Sequence, residues 1–68
     1  MQKFKIKGDY IQLNQLLKAM AWCANGAEAN ILIDGGLVKV NATTEYRKRN
    51  KLVVGDCVEH KGKRVEIE

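Results

Sequence analysis

The chain has 68 residues, of which 46% are hydrophobic and 29% charged, with a net charge of +4, no proline and two cysteines. That composition belongs to one small folded domain, not to a disordered tail, and such a domain buries only about 60% of its unfolded surface. So little material makes a deep catalytic cleft hard to build and favours a surface that grips something larger.

In chain order, Phe4 and Ile6 alternate with Lys3, Lys5 and Lys7, the period-two pattern of a short half-buried strand. Gly8 ends it. Asp9 then reads as a helix N-cap, with Gln12 three residues on completing a capping box. Leu13, Leu16, Leu17 and Met20 recur at helical spacing, so the pattern predicts an amphipathic helix over 10–21. Asn25 and Glu28 repeat the capping device for a second, short helix with Ala29, Leu32 and Ile33 on its apolar face. Gly35 and Gly36 stop it.

From Leu37 the period changes to two, with Val38 and Val40 inward and Lys39 outward. Asn41 opens a turn, and Thr44 to Tyr46 continue extended. Val54-Gly55-Asp56 is a turn signal before a strand over Cys57–His60, and Lys61-Gly62 turns the chain into a last strand over Arg64–Ile67. The prediction is an α+β fold: an N-terminal strand, two short helices arranged like a helix-turn-helix, then a small, mostly antiparallel sheet.

The charge is unevenly placed. Residues 37–51 hold Lys39, Arg47, Lys48, Arg49 and Lys51 against Glu45 alone, and the remaining seven bases and seven acids cancel. The whole net charge of +4 therefore lies in one segment, a footprint suited to a polyanion and above all to nucleic acid. Arginine's planar fork matches phosphate bidentately and lysine adds a point charge. The ordinary alternative for such a run is a solvated loop or a guarded strand edge. Lys39 either extends the patch or is simply exposed. Tyr46 either stacks on an unpaired base or packs against its neighbours at a strand end. Trp22 reads as a packing residue at the helix turn.

Other chemistries find little support. No nucleophile–base arrangement, paired carboxylates or glycine-rich phosphate loop is present, so neither catalysis nor a cofactor is expected. A single histidine, His60, and no CxxC argue against a metal site, and His60 reads as structural. Cys23 and Cys57 read as buried reduced thiols. The longest uncharged stretch, nine residues from Ala19 to Ala27, falls short of the roughly 20 that a membrane helix needs, and no signal-peptide apolar region follows the N-terminal lysines. Cytoplasmic location is expected.

The ordered series Ala27-Glu28-Ala29, Ile33, Gly36, Val38-Lys39-Val40-Asn41, Lys51-Leu52, Gly55-Asp56 and Val58 resembles the RNA-binding domain named after ribosomal small-subunit protein S4, the alpha-L motif. The block Glu45–Lys51 matches the Glu-x-Arg-Lys-Arg-x-Lys pattern of its short free-standing members. The resemblance spans Leu13 to His60 and implies a monomeric, non-enzymatic domain holding structured RNA, ribosomal or transfer RNA. With the charge asymmetry it points to Lys39, Arg47, Lys48, Arg49 and Lys51 as RNA-binding residues, Tyr46 beside Arg47 being the candidate for stacking. Gln12, Asn14, Gly26 and Asn30 stand where many members carry charge, so the helical side is nearly neutral, and Ala42 replaces the usual glycine after Val-Asn. The alternative class is an interaction module that docks its basic face on an acidic protein, for example in ribosome assembly.

Overall fold

Each apolar stripe finds its place in a mixed sheet covered by two helices. The computed structural model describes all 68 residues. The N-terminal strand β1 (Gln2–Phe4) lies parallel to the C-terminal strand β7 (Lys63–Ile67), with Phe4 opposite Ile67. Ladder bonds continue past the strand end, from the Ile6 amide to Glu68 at 3.0 Å. Phe4 and Ile6 are half-buried against the core, as their alternation requires. The remaining strands are β3 (Lys39–Val40), β4 (Thr43–Thr44) and β6 (Cys57–His60), and the sheet order is β1-β7-β6-β3-β4. Val38, Val58, Val65 and Ile67 point inward and are fully buried. Apart from the β1–β7 pair, every contact in this sheet is antiparallel.

Helix α1 (Leu13–Ala19) starts and ends inside the expected 10–21 span. Asp9 does not cap it. Ile11 and Gln12 form a strand instead, β2 (Ile11–Gln12), paired antiparallel with β5 (Lys51–Leu52) so that Ile11 faces Leu52. That long-range pairing outcompetes the local capping box, because it lets Leu52 enter the core, where it is fully buried. Helix α2 (Gly26–Asp34) starts as the sequence indicates: Asn25 Oδ1 accepts the Glu28 amide at 2.9 Å, and Glu28 Oε1 accepts the Ala24 amide at 3.1 Å.

Both helices end in Schellman motifs, with the Trp22 amide donating to Leu17 and the Leu37 amide to Leu32. The left-handed residue is Gly36 at φ 74° in the second but Ala21 at φ 59° in the first. Leu13, Leu16 and Leu17 of α1 and Ala29 and Ile33 of α2 close the core, with Met20, Trp22 and Leu32 partly covered around it. Of the expected 44–46 extension only Thr44 pairs, as the second residue of β4, while Glu45 and Tyr46 do not. Asn41 and Ala42, both at positive φ, make the two-residue turn between β3 and β4. Asn41 also ties that turn to the next one. Its Nδ2 donates to Asp56 at 3.0 Å, and its Oδ1 accepts the Cys57 amide at 2.9 Å.

His60 is the one buried polar side chain, 4% exposed, and its Nδ1 lies 2.8 Å from the Leu37 carbonyl, so that nitrogen carries the proton and donates. Trp22 packs beside it, ring centroids 6.4 Å apart. The two cysteines are free thiols; Cys23 is buried, but Cys57 is only half-buried because it alternates with Val58 on β6. Burial pushes the Cys23 thiol above its ordinary pKa, which keeps it in the unreactive neutral form. No helix is long and apolar enough to cross a membrane.

Candidate nucleic-acid interface

The basic loop lies across the start of α1 and is held there by its own backbone. The first amides of a helix lack partners within it. Here Leu13 donates to the Asn50 carbonyl at 2.9 Å and Asn14 to the Lys48 carbonyl at 3.0 Å, in place of any side-chain cap from Gln12. The β2–β5 pair and buried Leu52 fix the loop's far end. At the near end the Glu45 amide donates to Val38 at 3.0 Å, and Asn50 closes a turn onto the Arg47 carbonyl at 3.2 Å. The chain is thus pinned at 45, 48, 50 and 52, leaving the side chains between to face solvent.

Those side chains are not equivalent. Arg47 forks onto Glu45, Nε to Oε2 at 2.9 Å and Nη2 to Oε1 at 3.0 Å, and its amide donates to the same carboxylate. The Arg47 side-chain hydrogen bond, helped by that amide and by the guanidinium charge, holds Glu45 down to about 2 from its ordinary 4.5, against a smaller opposing effect of burial. Lys48 reaches Asp34 at the end of α2, Nζ to Oδ2 3.2 Å, with both partners exposed, so the pair is weak and easily exchanged. Lys51 sits over the Tyr10 ring, 4.9 Å from its centroid. Arg49 has no acidic partner within ion-pair distance. Arg47, Arg49, Asn50 and Lys51 together line a shallow concavity.

Four of the five expected cations are therefore gathered on one loop, and the fifth is not. Lys39 is exposed on β3 between Thr44 and Glu59 and lines a separate cleft with Gly36, Leu37, His60 and the β6–β7 turn. Tyr46 is 62% exposed, yet one edge of it rests on Gly36, where an added Cβ would lie 3.2 Å from the tyrosine hydroxyl. It both packs on its neighbours and offers the rest of its ring to solvent. On the helical side, Asn14 Nδ2 meets Asn30 Oδ1 at 3.5 Å and Gln12 is part of β2, so these amides serve packing between elements. The Glu45–Arg47 pair was not read from the sequence; only its spacing of two residues hinted at it.

A change in protonation tests the loop's anchoring. Glu45 has a depressed pKa in the folded protein, so its contribution to stability is complete above 4.5 and is lost as pH falls toward about 2. The difference in thermal midpoint between the native protein and Glu45→Gln is expected to be constant at neutral pH and to close across that window. A difference that does not change with pH would mean that the ion pair contributes nothing.

The model of the S4 domain matches residues 4–68 of the chain, nearly its whole length. The chain belongs to the S4 domain family. Among this S4 domain's relatives is the Escherichia coli (strain K12) protein named "Putative RNA-binding protein YbcJ", 41% identical over 61 residues covering 90% of this chain and 87% of that protein. The Shigella flexneri protein named "Uncharacterized protein YbcJ" gives the same figures. The solution structure of Escherichia coli YbcJ superposes with a TM-score of 0.74 at 40% identity, covering 98% of this chain and 86% of that one. It is described as revealing an alfaL motif involved in RNA-binding. The S4 domain described here shares that α+β fold, two helices against a mixed sheet.

Proposed function

We propose that this S4 domain is a non-enzymatic RNA-binding protein that grips structured RNA, ribosomal or transfer RNA, through its 45–51 loop, acting as a monomer in the cytoplasm. The observation that carries the reading is the main-chain anchoring of that loop. Its carbonyls are consumed by the α1 amides, so Arg49 and Lys51 are presented in a fixed place without being spent on the fold. Kinship to YbcJ, whose own name and structure speak of RNA-binding, supports the same reading. Contacts of this type read phosphate and shape more than base edges.

Salt titration measures the grip. Arg47 is already neutralised by Glu45, so three cations of the loop (Lys48, Arg49 and Lys51) are left to displace counterions, Lys39 lying in its own cleft. The slope of log K against log salt from the loop is expected at about −2 to −2.7, taking roughly 0.7–0.9 per phosphate contact. A slope near zero rules out the phosphate grip. Binding to cell components that survives nuclease treatment would instead favour an acidic protein partner.

A further inference from the structure

Summed along the sequence, everything outside residues 37–51 is neutral; in space it is not. The β6–β7 turn, Lys61-Gly62, carries both residues at positive φ and projects Lys61, Lys63 and Arg64 at one end of the sheet. A cleft on one side of this turn is lined by Gly36, Lys39, Glu59, His60, Lys61 and Gly62. Of its charged side chains, Glu59 is approached by Arg64 at 3.7 Å, while Lys39 and Lys61 have no acid within ion-pair distance. Lys63 is held apart over the Trp22 ring, 5.7 Å from its centroid. Two uncommitted ammonium groups therefore face one cleft whose floor includes glycine backbone. Gly36, one of the residues lining the cleft, is also in contact with the exposed Tyr46, the residue just before Arg47 in the basic loop.

We propose that this cleft is a second phosphate-binding point, which takes an unpaired stretch of the same RNA. Lys39 and Lys61 bind its phosphates and the free face of Tyr46 stacks one of its bases on the way from the loop. The inference rests on the loop reading and deepens it: the RNA recognised is a folded element with a single-stranded extension. A single strand fits better than a duplex, because aromatic stacking needs a splayed base.

The probe is a fluorescein-labelled RNA hairpin with a single-stranded tail, titrated across a salt series against the native protein, Lys39→Gln/Lys61→Gln, and the control Lys5→Gln/Lys18→Gln. Lys61 already holds a positive φ, and glutamine there is no more strained. The cleft variant is expected to lower the magnitude of the salt slope by about 1.4, at roughly 0.7 per single-strand phosphate contact. Removing the tail should do the same to the native protein and nothing further to the variant. The tail removal on the native protein needs no mutant, so that arm stands even if the variant folds poorly. An unchanged slope, or an equal loss in the control, overturns the cleft while leaving the loop in place. Failure of the native protein to bind the hairpin at all overturns the loop reading and the cleft with it.

Discussion

Reversing Arg49 and Lys51 to Glu lowers RNA affinity by roughly a hundredfold at fixed moderate salt, on the order of tenfold per reversed side chain, while the fold is kept. Little of the fold depends on either charge, since an exposed cation–π contact contributes only about 0.5–1 kcal/mol. Arg49 has no acid partner, and Lys51 contributes to β5 through its backbone and rests on Tyr10 only by its ammonium end. Arg47 is a poorer target for this test, because Arg47→Glu would also undo the fork on Glu45 and set two carboxylates against each other. Lys3→Ala and Lys18→Ala report generic charge loss, and Gln12, Asn14 and Asn30 changed to Ala report on the helical side, where no counterion is released. Fluorescence titration with circular dichroism as the folding check decides it. If the amide variants lose binding and the Arg49/Lys51 reversal does not, the RNA lies on the opposite face.

Leu52→Ala acts on the fold instead. Leu52 is fully buried, and it is the residue by which the basic loop re-enters the core opposite Ile11. Truncating it costs about 2–5 kcal/mol in lost transfer energy and cavity. A chain of this length has roughly 3–10 kcal/mol in all. The thermal midpoint should drop by about 4–8 °C for each kcal/mol lost, and much of the protein is expected to be unfolded at body temperature. Val53→Ala, one residue along at 47% exposure, should change stability by no more than about 0.5 kcal/mol. Equal midpoints for the two variants would contradict the place given to Leu52.

What the sequence revealed and what it hid follow from the range of each interaction. The Asn25–Glu28 box spans three residues, and it appears in the structure where the pattern placed it. The alternation of Val38 with Val40 and of Val65 with Ile67 was equally readable, because side-chain direction in a strand is set by the neighbouring residues. Asp9 misled because its competitor, the β2–β5 ladder, joins residues forty positions apart, and no local signal announces it. The basic loop was visible as a charge run, but its division into a spent Arg47 and an unspent Arg49 depends on how the chain bends back at Glu45. For Lys39 the sequence left open whether it extends that patch; the structure puts it in a different cleft, lined also by Lys61, through strand pairings that the linear charge sum could not register.

The carbonyls of Lys48 and Asn50 that terminate α1 have one more consequence. Every amino acid carries a carbonyl, so this helix end is indifferent to which side chains occupy those two positions. Selection can rewrite the loop's outward chemistry, exchanging one cation for another or a cation for an aromatic ring, with little penalty to folding. The fold behaves there like a socket whose fitting is separate from the tool it holds. Relatives sharing this backbone are thereby free to diverge in cargo while remaining the same protein in shape.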